Sequence, residues 1–287
     1  METVTNPNLL DVCVSHIDAC KLNEADELAL RSWWVPQRKR AEDLIGKLAA
    51  RPVADWTGLI LAHRAHRHPW YDFLAGEATL REFATFMLEN RSFPLFLPLA
   101  ERALEAQICA EARAALQRNI DDEQVPVPHA ELMRRLMRAL QLRAGDGLQI
   151  EAYPSLIART LVYYYGYYVD PWSLVGSMYV TEAVAFCRLQ AMNTGLQRLG
   201  LGPHDLEFIR VHMSCDEDHA RDWSDCVIAP TLKLNPILRT NIAEGIAVAL
   251  QTSARYLDRL VERTAELRTT EECAALDPSW RRPRSPN

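Results

Sequence analysis

Apolar residues recur at intervals of three and four along most of this 287-residue chain. That spacing puts them on one face of an α-helix. The runs 24–50, 80–118, 130–143, 172–199 and 236–264 all carry this period. Strict apolar/polar alternation, which would predict half-buried strands, is scarce. Val125-Pro-Val-Pro128 alternates, but its two prolines make it a connector. The helical period is interrupted at Asn6-Pro7, Gly76, Pro126 and Pro128, Gly145 and Gly147, Asp170-Pro171, Gly200 to Pro203, and Pro230 to Pro236. Asp170 followed by Pro171 predicts an N-cap and a proline at the first helical position. No repeat or low-complexity linker divides the chain, so the pattern predicts about seven or eight helices with short loops in one all-α bundle.

Composition adds little to the fold and removes several functions. A hydrophobic fraction of 48% and a charged fraction of 24% describe an ordinary globular chain. Net charge is −6 and basic residues are dispersed, which argues against nucleic acid as a partner. The one basic cluster, Arg281, Arg282 and Arg284, falls in a Pro/Ser-rich end that reads as a tail. No apolar run is long enough to span a membrane, and the first residues lack the basic and apolar stretches of a secretory leader. The seven cysteines are scattered and form no CxxC pair, which fits free thiols in a reducing cytoplasm.

The chemistry is concentrated in His212-Met-Ser-Cys-Asp216-Glu-Asp-His219. His, Asp and His at i, i+4 and i+7 share one helix face, which is how a helix presents a row of metal ligands. Two imidazoles and a carboxylate suit iron, manganese or zinc better than magnesium or calcium. The competing reading is a solvated charged face, since Glu217, Asp218, Arg221 and Asp222 make much of this helix polar. Cys215 lies beside the row and reads as packing.

Other segments supply candidates for the rest of a site. Glu182 has no other charged residue for ten positions before it and five after it. A carboxylate in such surroundings is costly to bury unless something compensates it, whether a metal or an arginine such as Arg188 or Arg159. Asp121-Asp-Glu123 places three acids at a helix end that Pro126 must terminate, against the helix dipole. His129, six residues after Glu123, could cap the next helix or serve as a ligand. His63, His66 and His68 are interleaved with Arg64 and Arg67, which repel a divalent cation, and read as a polar helix end; His16 and His204 are isolated. The five tyrosines between Tyr163 and Tyr168 cover every face of a helix and read as core or rim aromatics, one or two of them lining a cavity.

The order Asn119-Ile-Asp-Asp-Glu123, His129, Glu182 and then His212-x3-Asp216-x2-His219 resembles the haem-oxygenase-like diiron oxidases and oxygenases. Glu182 precedes His212 by 30 residues, an interval similar to that family's. The segment from His68 through Gly76 to Leu80 also looks like its opening helix and turn. The likeness runs from about residue 60 to residue 265. It implies a haem-oxygenase-like bundle of about seven core helices over residues 51–268, with accessory helices in 1–50 and a flexible tail in 269–287.

The resemblance further implies two non-haem irons that activate O2 with electrons from a donor. One iron would take Glu123, His129 and Glu182, the other His212, Asp216 and His219. Asp218 and Asp222 would be candidates for orienting the imidazoles. The implied reactions are N-oxygenation, oxidative C–C cleavage or desaturation, with a small amino-acid-derived substrate in a biosynthetic pathway preferred. Arg188, Arg210 or Arg221 could hold a substrate carboxylate, though each also reads as a surface arginine. Two other readings stand beside this one: a cofactorless or cofactor-binding oxidase of the same fold, and a non-catalytic metal-binding bundle. A homodimer is left open.

Overall fold

Helix α10, Pro171–Ala183, is apolar nearly all round and buried nearly all round. A computed structural model describes residues 22–90, 96–144 and 153–276 of the chain, and the other elements pack about this helix. In chain order they are α1 (Glu24–Arg40), α2 (Glu42–Ala49), α3 (Trp56–Ala62), α4 (Pro69–Gly76), α5 (Leu80–Glu89), α6 (Phe96–Ala106), α7 (Ala110–Asp122), α8 (His129–Ala144) and α9 (Pro154–Tyr168). After α10 come α11 (Ala185–Arg198), α12 (Glu207–Arg221), a π-helical stretch (Asp222–Ile228), α13 (Ala229–Leu234) and α14 (Arg239–Leu276). No strand occurs among the described residues, so the all-α expectation holds. No helix of the described residues is long and apolar enough to cross a membrane.

The helix ends follow from local sequence. Asp170 caps α10, accepting from the Trp172 amide at 3.1 Å, with Pro171 in the first turn. Its second carboxylate oxygen accepts from Ser173 Oγ (2.6 Å) and Asn241 Nδ2 (2.9 Å), tying the cap to α14. Thr79 and Glu82 form a reciprocal capping box at the start of α5. His68 caps α4 through Nδ1, 3.2 Å from the Trp70 amide. Helices α10 and α14 lie unusually close. A Cβ on Gly176 would sit 2.1 Å from the Ile242 carbonyl oxygen, and one on Gly245 would sit 2.0 Å from that of Ser173. Only glycine permits backbones to approach this closely.

Helices α1 and α2 pack on the main core, and residues 1–21 of the expected accessory region lie outside the described residues. The Trp34 ring on α1 stacks on Tyr165 of α9 at 4.0 Å, and Leu30, Trp34 and Leu48 are buried. At the other end α14 continues to Leu276, past residue 269, where a flexible tail was expected. The reason is in the sequence: neither glycine nor proline occurs between Gly245 and Pro278.

Two apolar clusters fill the bundle. One collects side chains from α1, α2, α3, α6, α7, α9, α10, the π-helical stretch and the first half of α14. The other collects α4, α5, α8, α11, α12 and the second half of α14. The chain crosses between them at three places near the candidate ligands. Ile120 belongs to the first cluster and Leu132 to the second, with Glu123 and His129 between them. Val184 belongs to the first and Ala185 to the second, just after Glu182. Ile209 belongs to the second and Trp223 to the first, with His212 and His219 between them. The polar residues thus gather on the seam of the core, where each helix passes from one apolar environment to the other.

Candidate metal centre

Helix α7 ends at Asp122, and the next residue, Glu123, is its C-cap. The connector through Pro126 and Pro128 then folds back so closely that the His129 amide donates to the Glu123 carbonyl at 2.9 Å. The prolines therefore bring His129 to the first turn of α8, beside Glu123. Its Nδ1 lies 3.0 Å from Glu123 Oε2, and both side chains are buried. The contact is poorly aligned, and His129 Nδ1 has no well-directed hydrogen bond among the described residues.

The third member comes from α12. His212 turns Nδ1 to the Phe208 carbonyl oxygen at 2.8 Å, and this contact directs Nε2 inward. A histidine that donates one N–H to a backbone carbonyl keeps a lone pair on the other nitrogen, the arrangement a metal ligand requires. His212 Nε2 is 3.7 Å from Glu123 Oε1, and the His129 and His212 rings meet edge-on at 4.5 Å. One donor atom each from Glu123, His129 and His212 lie within 4.8 Å of one another, all on buried residues. Burial pushes the Glu123 carboxyl up, but His129 and His212 outweigh it and hold it down at about 2.

His219 is two helical turns further along α12, about 10 Å along the axis at 1.5 Å per residue. It therefore belongs to a second position. Its Nδ1 is 3.8 Å from Glu182 Oε2, and both residues are buried. Its Nε2 lies 3.4 Å from Asp122 Oδ2 at the end of α7. Asp216 stands between the two histidines on α12, and its side chain lies outside the described residues. The sequence expectation placed Glu182 with Glu123 and His129, with a bridging role open to it, and placed His212 with His219; the contacts set His212 beside Glu123 and Glu182 beside His219. The rise of the helix separates the two histidines, so His212 joins Glu123 and His129 while Glu182 faces His219.

The orienting residues also differ from expectation. Asp218 pairs with Arg221, and Asp222 lies 3.0 Å from Arg118. Asp122 is the carboxylate that reaches His219, a choice that depends on how α7 ends against α12. Asn119, one turn before Glu123, is buried with no hydrogen bond to its side-chain amide among the described residues. His66 and His68 are more buried than a polar helix end implies. His66 Nε2 contacts Cys187 Sγ at 3.3 Å, and His68 Nε2 contacts Asp258 at 3.1 Å. Arg188 and Arg159 do not pair with Glu182; both line a cavity instead.

That cavity, about 130 Å³, reaches Glu123, Glu182 and His212. Its walls are mainly apolar, with Phe86, Met87, Leu99, Met178 and Phe208 among them. Tyr163 and Tyr164 of the tyrosine run also line it, and Tyr163 shares a 2.8 Å hydrogen bond with Thr181. An apolar chamber that ends on a cluster of buried carboxylates and imidazoles is the usual shape of a small-molecule site.

Comparison with known proteins agrees with this architecture. A TenA homologue from Pseudomonas syringae pv. tomato superposes with a TM-score of 0.54 at 15% identity, covering 73% of this chain and 90% of that one. A domain of unknown function with a haem-oxygenase-like fold, from Shewanella denitrificans, gives 0.54 at 17% identity, covering 75% and 91%. At these identities the likeness shows the fold alone. No curated protein matches the chain. A family model described as an iron-containing redox enzyme matches residues 91–254, which include Glu123, His129, Glu182 and the whole His212–His219 row, and the chain belongs to this haem-oxygenase-like family of iron-containing redox enzymes.

Proposed function

We propose that the protein is an O2-activating non-haem diiron oxidase or oxygenase that acts on a small, amino-acid-derived substrate in a biosynthetic pathway. The observation that supports this reading best is the convergence of Glu123, His129 and His212, with donor atoms within 4.8 Å of one another on buried residues. A carboxylate oxygen with two imidazole nitrogens is a donor set suited to iron. Glu182, His219 and, by the sequence row, Asp216 would hold the second iron. When bound, the irons would supply O2 activation, with electrons from a donor protein or small reductant.

The chain's own residues do the rest. The Phe208 carbonyl fixes the His212 ring so that only Nε2 faces the centre. Asp122 is placed to accept the Nε2 proton of His219, which leaves Nδ1 to face Glu182. The apolar cavity would hold the substrate beside Glu123, Glu182 and His212. On this reading the protein is an enzyme with a small-molecule substrate rather than a metal store.

Anaerobic addition of Fe(II), followed by metal analysis and then stopped-flow mixing with O2 and a panel of amino acids, tests the proposal. It expects about two iron ions per chain and an O2-dependent optical transient that one substrate accelerates. A chain that stays metal-free, or whose iron content is unchanged by His212→Ala and Glu182→Ala, would end the diiron reading. Two irons with no O2-dependent transient would favour storage.

A further inference from the structure

The cavity has a second set of polar groups that the metal-facing residues do not explain. A smaller cavity of about 30 Å³ adjoins it, and Phe86, Asn90, Arg159 and Arg188 line both. Glu123, Glu182 and His212 line only the larger one. The two guanidinium groups therefore stand where the cavities meet, apart from the carboxylates.

Neither arginine is neutralised by an acid. Arg188, on α11, is half-buried and has no hydrogen bond or ion pair among the described residues. Arg159, on α9, lies over the Tyr256 ring at 5.0 Å and donates one N–H to the Asn90 side-chain oxygen. These contacts hold its plane and leave further N–H groups for another acceptor. Another buried acid, Glu89, is already committed, receiving Tyr153 (2.8 Å), Tyr256 (2.9 Å) and Arg263 (2.7 Å). Two half-buried cations without a counterion make a site that favours an anion. Burial raises the Tyr71 hydroxyl, and both Arg188 and Arg159 act on it in the opposite direction, so the two charges fall around one point.

We infer that Arg159 and Arg188 bind the carboxylate of the substrate, whose apolar body fills the larger cavity towards Glu123, Glu182 and His212. Guanidinium groups recognise a carboxylate through paired N–H donors. An apolar cavity of about 150 Å³ accommodates a benzene ring, so a chamber of about 130 Å³ admits a body of about six carbons. The ligand class is thus a small apolar carboxylate, either a free amino acid of the leucine type or a simple aliphatic acid. The inference deepens the proposed function by naming what the cavity selects. It rests on that function only for which end of the substrate reacts, because the arginines bind with or without iron.

Calorimetric titration of the metal-free full chain with 4-methylpentanoate, leucine and 4-methylpentan-1-ol tests this. At least one of the two acids is expected to bind tenfold or more tighter than the alcohol, and which acid does so identifies the source of the carboxylate. Arg188→Met, which breaks no contact seen in the fold, is expected to lower the affinity of that acid at least tenfold and leave the alcohol unchanged. Arg159→Lys keeps the charge but loses the paired donors, and is expected to weaken the acid several-fold. Equal binding of alcohol and acids, or full acid affinity in Arg188→Met, would overturn the inference. Repeating the titration with the Fe(II)-treated chain separates the two proposals. Acid binding without iron uptake would leave the arginine site standing and remove the diiron reading.

Discussion

Two buried carboxylates in this bundle have been given opposite surroundings. Glu89, at the end of α5, has a fully buried side chain and receives three donors from distant elements: Tyr153, Tyr256 and Arg263. Glu123, at the end of α7, is equally buried but faces two imidazoles at 3.0 and 3.7 Å, and one of them, His129, has its Nδ1 unsatisfied. The first cluster is complete with protein alone. The second sets a carboxylate and two imidazoles together, a donor set that suits a metal ion. A buried acid therefore reveals function by what its neighbours leave undone, and the Glu89 cluster serves as an internal control for the Glu123 cluster.

The sharpest way to break this comparison is to delete each acid in the metal-free protein at pH 7.5. Glu89→Ala strands Arg263, which cannot lose its proton, and leaves two buried tyrosine hydroxyls short of an acceptor. Loss of one partner of a buried pair costs about 3–5 kcal/mol, and urea denaturation is expected to show a loss of that order. Glu123→Ala strands no guanidinium, so a smaller loss of about 1 kcal/mol is expected. A larger loss at Glu123 than at Glu89 would mean that the Glu123 cluster is structural.

Metal addition should narrow the difference. A ligand that binds only the folded state stabilises it by about 2.7 kcal/mol at a hundredfold excess over Kd. Anaerobic Fe(II) is expected to raise the unfolding midpoint of the native chain accordingly. Glu123→Ala and His212→Ala should reduce the increase, and folded Glu89→Ala should retain it in full. Thermal melts with and without metal read this directly.

The two acids should also respond to pH with opposite sign. Burial pushes the Glu89 carboxyl above its ordinary 4.5, with the hydroxyls and Arg263 pulling it back only in part. The folded state then holds that proton more tightly than the unfolded state. Its contribution to stability is full below 4.5 and is lost as pH rises through the raised value. For Glu123, burial raises the carboxyl but the two histidines carry it down to about 2, so its contribution is present above 4.5 and is lost as pH falls towards 2. In metal-free protein, Glu89→Gln is expected to flatten the stability curve above pH 4.5, and Glu123→Gln to flatten it below. Equilibrium denaturation across this range checks both.

How much of this could be read from the chain depends on where each signal lies. The helices were legible because the apolar period and the Pro/Gly breaks are local properties. Glu182 was legible because it is the only charge in a long apolar stretch, and His212 and His219 because one helix face carries both. Glu89 gave no such signal. It sits beside Asn90 and Arg91, and its three donors are 64, 167 and 174 positions away. The sharing of ligands between the two positions was illegible for a similar reason. The motif shows that His212 and His219 point the same way, but only the packing of α7 and α10 against α12 assigns Glu123 to one and Glu182 to the other. The row His212, Asp216 and His219 remains the sequence feature that marks the site.

The smallest expected effect concerns Asp122, the contrast to the saturated donors around Glu89. It contacts His219 Nε2 at 3.4 Å, a long contact from a side chain that is 59% exposed. In the metal-free chain such a pair contributes little, and Asp122→Asn is expected to change stability by less than about 0.5 kcal/mol. Its influence should appear when metal binds. An acceptor on the far nitrogen of a ligating histidine fixes the ring and raises its basicity, and removing such partners commonly costs about tenfold or more in metal affinity. Because Asp122 contacts His219 and not His129 or His212, only one of the two metal positions should weaken. Competition titration with a chromophoric chelator should therefore show one binding step unchanged and the other weaker by about tenfold. Equal weakening of both steps would mean that the two positions act as one coupled unit, and no weakening would assign the His219 proton to another partner.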